Sequence, residues 1–158
     1  MIPRGAEAIG RLAQRITNDL IPKAPDAYTI ADLGLITALL GMIAQDFDRA
    51  ADLLVSQHEA VCPILREAAA RMAGSDLASR IEATLAQAPT SLRISDLSAR
   101  SDATLRLMIE AHAAVEVAAD AGANWAKRLD EAIWRFLEAQ TAAEAYQVAP
   151  LTTDQTSG

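Results

Sequence analysis

The chain has 158 residues, 51% hydrophobic and 22% charged, so it is long enough to bury one core and is neither disordered nor fibrous. Its formal net charge is −7 at pH 7, and no basic stripe is visible, which argues against binding to nucleic acid. The same acidity argues against docking on an anionic membrane surface.

The composition favours α-helix along the whole chain. Aromatic residues make up only 4%, alanine and leucine dominate, and glycines and prolines are few. No stretch shows the alternating β-branched pattern of a strand. We therefore predict an all-α fold: an up-and-down antiparallel bundle of four main helices plus one or two short ones. Residues 1–149 are expected to form a single domain, and residues 150–158 a flexible C-terminal tail.

Two helices are predicted in the first third of the chain. The first runs from about Glu7 to Leu20 and is ended by Pro22 and Pro25. The second has Thr29 as its expected N-cap, and apolar side chains recur at helical spacing from there to His58.

The most apolar run of this second helix is Leu33–Ala44, which lies between Asp32 and Asp46. It is hydrophobic nearly all round, as expected for a helix that is covered on every side. The run is shorter than the roughly 20 residues that a bilayer requires, so no membrane span is expected. Such a helix could be covered by the rest of its own chain or by another protein, and we predict a homodimer.

A proline then interrupts the helical pattern. Within a helix, Pro63 would remove a backbone donor and clash with the carbonyl of Glu59. An unbroken helix from Ile30 to Met72 would also span about 65 Å, which is long for a domain of this size. We therefore expect a kink or break between His58 and Pro63.

The rest of the chain is divided by residues that cap helices and form turns. Gly74 suits a C-terminal cap, and Ser75 suits the start of a short helix. Ser95 or Ser101 is the expected cap of the next long helix, and Gly122 marks the turn before the last one.

The two histidines of the chain are the only candidate site, because both fall on the apolar stripe of a long helix. One turn beyond His58 is Cys62, and one turn beyond His112 is Glu116. If the two helices faced each other at this level, the four side chains could converge as ligands of zinc or another divalent metal.

Several features weaken the metal hypothesis. The spacing matches neither a di-iron bundle nor a HExxH helix. Cys62 precedes a proline, which biases its backbone away from helix, and Glu116 alone could satisfy His112. A histidine-paired Cys62 nucleophile is a weaker possibility still, since single buried cysteines are usually inert. No cofactor is therefore predicted, with zinc as the alternative.

The favoured function is non-enzymatic protein–protein association, with a homodimer expected and no other partner identified. The alternative is a bundle that binds a metal or small ligand through the two histidines. A single cysteine cannot form an internal disulfide, and no apolar signal region follows Met1, so a cytoplasmic location is expected.

Overall fold

The computed structural model describes residues 4–88 and 91–146, and this part of the chain is an all-α helical bundle, as predicted. The predicted tail, residues 150–158, lies outside the described residues. In chain order, the elements are α1 (Gly5–Arg15), a π-helical turn (Ile16–Leu20), a 3₁₀ turn (Ile21–Lys23), α2 (Ala27–Arg71), α3 (Asp76–Leu85), α4 (Ile94–Asp120) and α5 (Asn124–Glu144).

The hydrophobic core lies at one end of the molecule. It is built where the C-terminal part of α2 packs against α3, α4 and α5. The side chains with almost no exposed surface come from all four helices: Val61, Leu65, Ile81, Ala111, Val115, Leu129 and Ile133. Each of these lies on the apolar stripe of its helix, so burial follows the helical period of the sequence.

Helix α2 is continuous over 45 residues with Pro63 inside it, so the break considered from the sequence is not present. Glu59, whose carbonyl loses its donor to the proline, is exposed, and so is Pro63. Water can therefore take the place of the missing backbone donor. The length argument was wrong because it assumed that the whole helix is confined to the core.

The helix ends are partly as predicted. Gly74 has φ +87° after α2, Ser75 caps α3 by accepting a hydrogen bond from the Ala78 N–H at 3.1 Å, and Gly122 has φ +89° in the turn before α5. Two predicted caps were wrong, and both helices begin earlier. The N-cap of α2 is Asp26, whose Oδ1 accepts from the Thr29 N–H at 2.8 Å.

The start of α4 also differs from the sequence-based expectation. The helix begins at Ile94, so Ser95 lies within its first turn and Ser101 lies well inside the helix. Ser91 stabilises the residues at the start of α4, because its Oγ accepts from the Arg93 N–H and donates to the Asp96 carboxylate. Ser101 is instead buried and donates a hydrogen bond to Oε1 of Gln57 on α2.

The N-terminal third of the chain is much more open than the core. We call α1 together with residues 27–56 of α2 the N-terminal hairpin. Among the described residues, α1 packs only against α2 and the π-helical turn that continues it. No residue of α1 or of residues 27–56 is buried, although Leu35 and Phe47 are large and apolar. The hairpin therefore extends beyond the core with apolar surface exposed.

The C-terminus of α5 is attached to this hairpin through Arg49. The Arg49 guanidinium donates to the carbonyls of Ala143, Glu144 and Ala145, which have no partners within the helix. It also lies 5.2 Å from the centre of the Tyr146 ring, and the Tyr146 hydroxyl donates to Asp46 at 2.7 Å. These contacts join the end of α5 to α2 outside the core.

By length and composition alone, α2 is a helix that could cross a membrane. The sequence-based expectation considered only the Leu33–Ala44 run, whereas the observed helix carries that run within a longer apolar window. Core helices of soluble proteins pass the same test, although those are mostly buried and this apolar window is 0% buried; one such helix is weak evidence of a membrane span.

Candidate functional site

The first candidate pair, His58 and Cys62, lies at the end of the core where the hairpin begins. Both residues are on α2, and the helix brings them together because they are one turn apart. Cys62 Sγ lies 3.4 Å from His58 Nε2, and both side chains are buried. His58 Nδ1 is shielded from solvent and has no hydrogen-bond partner among the described residues.

The surroundings of this pair favour its neutral form. Burial raises the pKa of the Cys62 thiol. Burial also lowers the pKa of His58, and the positive charge of Arg100 lowers it further. A protonated thiol can then donate to Nε2, which leaves the imidazole proton on Nδ1. A neutral thiol is a weak nucleophile, so this arrangement does not activate Cys62 for catalysis.

A cavity of about 310 Å³ opens beside His58 and Cys62. Two arginines, Arg66 from α2 and Arg100 from α4, line it together with Glu59. The remaining wall is aliphatic and consists of Leu54, Val55 and Leu97.

The second candidate pair, His112 and Glu116, is joined by a residue that the sequence did not single out. His112 Nε2 lies 2.8 Å from Asp130 Oδ1 on α5 and 3.8 Å from Glu116 Oε1. One ligand atom from each of the three residues lies within 4.8 Å of the other two. One imidazole and two carboxylates form a donor set that suits zinc and similar divalent metals.

The His112 ring also packs against an aromatic side chain. Its centroid is 5.7 Å from that of Trp134, with the two ring planes at 80°. This edge-to-face contact holds the imidazole from one side while Asp130 holds its nitrogen. His112 therefore has ordinary structural partners even without a metal.

The structure brings each predicted pair together but does not join the two pairs. His58 shares its cavity with Arg100, and His112 lies twelve residues further along the same helix as that arginine. This separation corresponds to about 18 Å along the axis of α4. A single shell made from His58, Cys62, His112 and Glu116 is therefore not what the fold presents.

Two of the missed residues carry a signal in the sequence. Arg66 is one turn beyond Cys62, so positions 58, 62 and 66 follow one face of α2. Asp130 directly follows Leu129 of the buried stripe and is one turn before Trp134. No local pattern points to Arg100, because its proximity to His58 depends on how α4 packs on α2.

Comparison with models of known protein families, with curated proteins and with solved structures finds no match to this chain.

Proposed function

We propose that this protein acts by associating with a second copy of itself through its N-terminal hairpin. The observation that carries the proposal is a long helical segment, residues 27–56 of α2, in which no residue is buried although many are apolar. Exposed apolar surface on this scale is typical of interaction sites.

The exposed side chains lie on more than one face of the helix. Tyr28 is 78% exposed, Leu35 61% and Phe47 57%. Ile30, Ile36, Leu39 and Ile43 lie between them and are also exposed. The segment from residue 33 to residue 45 contains no charged side chain. Covering these faces would remove a large apolar area from water, which is the main favourable term in association.

A protein partner fits this surface better than a lipid bilayer. Helix α1 packs along the same part of α2, and it carries Glu7, Arg11 and Arg15. Glu7 pairs with Arg11, and Arg15 lies 3.9 Å from Asp19, all on exposed surface. Carrying these charges into hydrocarbon would be costly, whereas an aqueous protein interface leaves them solvated at its rim.

A second copy of the chain is the simplest occupant. Two apolar hairpins related by a twofold axis are complementary to each other by symmetry and would form a four-helix arrangement. Gly34 and Gly41 add room for close approach, because nothing lies within 4 Å of the position that a Cβ would take at either residue.

The test is the molar mass of the full chain in solution, measured by light scattering during size-exclusion chromatography over a range of concentrations. We expect twice the 16.8 kDa mass of the chain for the native sequence. The double variant Leu35→Asp and Leu39→Asp should be monomeric, since it places charges on exposed positions of the hairpin. Val117→Asp, at an exposed position of α4, is the matched control and should remain dimeric.

A native chain that stays monomeric at high concentration would contradict the proposal, as would a dimer that tolerates both aspartates. Flotation of the native monomer with phosphatidylcholine vesicles would assign the apolar surface to lipid instead.

A second candidate function is metal binding at His112, Glu116 and Asp130, which the 4.8 Å grouping of their ligand atoms favours. Elemental analysis of protein purified without a histidine tag should then find about one zinc per chain, and Asp130→Asn should abolish it. Glu138→Gln, on the same helix but outside the group, is the control. Absence of stoichiometric metal, with a melting temperature that chelator leaves unchanged, would reject this function.

A further inference from the structure

The cavity beside His58 combines charge and apolar surface in a way that neither association nor metal binding uses. It lies at the junction of the hairpin and the core, since Leu54 and Val55 belong to the hairpin and His58 is in the first buried turn of α2. Its volume of about 310 Å³ is at the lower end of the range for small-molecule sites.

The polar side of the cavity is positively charged. Arg66 and Arg100 contribute two guanidinium groups, and neither makes a side-chain hydrogen bond or ion pair with any described residue. Glu59 also lines the cavity, but no ion pair joins it to either arginine. Burial is the main cause of the lowered pKa of His58, and the charges of Arg100 and Arg66 lower it further while Glu59 opposes them.

The buried imidazole supplies a further polar group. His58 is 9% exposed, and its Nδ1 has no acceptor among the described residues. A buried N–H without an acceptor is unfavourable, so a ligand oxygen at this ring would relieve an existing cost.

The remaining wall determines the shape of the ligand. Leu54, Val55 and Leu97 offer only hydrocarbon, and the neutral Cys62 thiol behaves as a small apolar group. A ligand that fits both sides has one anionic head and a short apolar body. A carboxylate suits the head, because arginine binds it through two parallel hydrogen bonds.

We propose that this cavity is a binding site for a small apolar monocarboxylate, with Arg66 and Arg100 holding the carboxylate and the Leu54, Val55 and Leu97 side chains contacting the hydrocarbon body.

The experiment compares hexanoate with hexanamide, which has nearly the same shape but no charge. Each is titrated into the full chain, and binding is followed by ¹H–¹⁵N NMR. Hexanoate should bind at least about tenfold more tightly than hexanamide, as expected when a charge-assisted hydrogen bond is lost. Arg66→Gln and Arg100→Gln should each weaken hexanoate binding by a similar factor and leave hexanamide nearly unchanged.

Arg106→Gln is the matched control, because Arg106 is exposed on the same helix as Arg100 and does not line the cavity. A second measurement uses the single cysteine of the chain. Hexanoate should slow the alkylation of Cys62 by neutral iodoacetamide, and this protection should be lost in Arg100→Gln.

Three results would overturn the proposal. The first is equal binding of hexanoate and hexanamide, which would mean that the cavity recognises the hydrocarbon body and not the charge. The second is hexanoate binding that survives both arginine substitutions. The third is no binding of hexanoate by a chain whose circular dichroism shows the native helix content.

Discussion

His58 is surrounded by more positive than negative charge. Arg100 and Arg66 face it from α4 and α2, Glu59 opposes them, and Cys62 contacts its Nε2. Burial and Arg100 together lower the pKa of His58 below the ordinary value of 6.5. The folded chain therefore resists protonation of this ring more strongly than the unfolded chain does.

This difference predicts a dependence of stability on pH. Well above pH 6.5 the ring is neutral in both states, and its contribution is fully present. As the pH falls from 6.5 through the lower folded-state pKa, the unfolded chain takes up the proton first and stability is lost. Urea unfolding at about pH 7.5 and about pH 5.5 should show a larger loss for the native chain than for His58→Gln.

The native chain and His58→Gln contain the same carboxylates, so the difference between their losses of stability reports on His58. Asp26 and Glu110 also have lowered pKa values, the first through the Thr29 hydrogen bonds and the second through Arg80. Their titration affects both chains alike. Equal losses in the native chain and the variant would show that the environment of His58 does not govern this range.

At the scale of elements, a buried polar contact fixes α2 against α4. Ser101 is 1% exposed and donates to Gln57 Oε1, and Gln57 lies in the first buried turn of α2. Thr104 continues this polar layer, because its Oγ1 donates to the Ser101 carbonyl at 2.9 Å. The layer lies where the core ends and the hairpin begins, so it sets the relative position of the two helices at that boundary.

Removing one partner of the Ser101–Gln57 hydrogen bond should lower the free energy of unfolding more than removing both partners. Ser101→Ala leaves a buried amide oxygen without its donor, which is expected to lower the free energy of unfolding by about 1–3 kcal/mol. The double variant with Gln57→Leu should recover much of that loss, because no polar group is then left unpaired. Urea unfolding of the single and double variants completes the cycle. If the losses from Ser101→Ala and Gln57→Leu simply added in the double variant, the two side chains would not be coupled and the prediction would be wrong.

The sequence predicted the elements better than their lengths. The helical period and the turn chemistry at Gly74, Ser75 and Gly122 are local, and the structure confirms them. The continuation of α2 through Pro63 could not be foreseen, because it depends on the exposure of Glu59 and on a hairpin that lies outside the core. Serine at position 101 looked like a cap, since its buried partner Gln57 is distant in sequence.

At the candidate sites, too, contacts within a helix were predictable and contacts between helices were not. Helical spacing placed Cys62 beside His58 and Glu116 beside His112, and the structure shows both pairs. It could not place the pairs relative to each other, nor bring Arg100 to His58, because those distances depend on how α4 packs on α2. Local patterns therefore predicted contacts within a helix and missed those between helices.

The whole molecule consists of a well-packed end and an open end that share one long helix. The core unites the C-terminal part of α2 with α3, α4 and α5, whereas the hairpin pairs residues 27–56 of α2 with α1. Arg49 and Asp46 link the hairpin to the end of α5, and the Gln57–Ser101 contact lies at the boundary between the two ends. The cavity with Arg66 and Arg100 lies at the same junction, so a ligand there would contact both ends at once.

A single helix with buried side chains only in its C-terminal third has two local stabilities. Residues 57–71 of α2 carry the buried side chains of the helix and are held by the core, whereas no side chain of residues 27–56 is buried. Association of two hairpins would add its binding free energy to the exposed N-terminal segment alone. The order of that segment would then depend on the concentration of the protein, whereas the packing of the core would not.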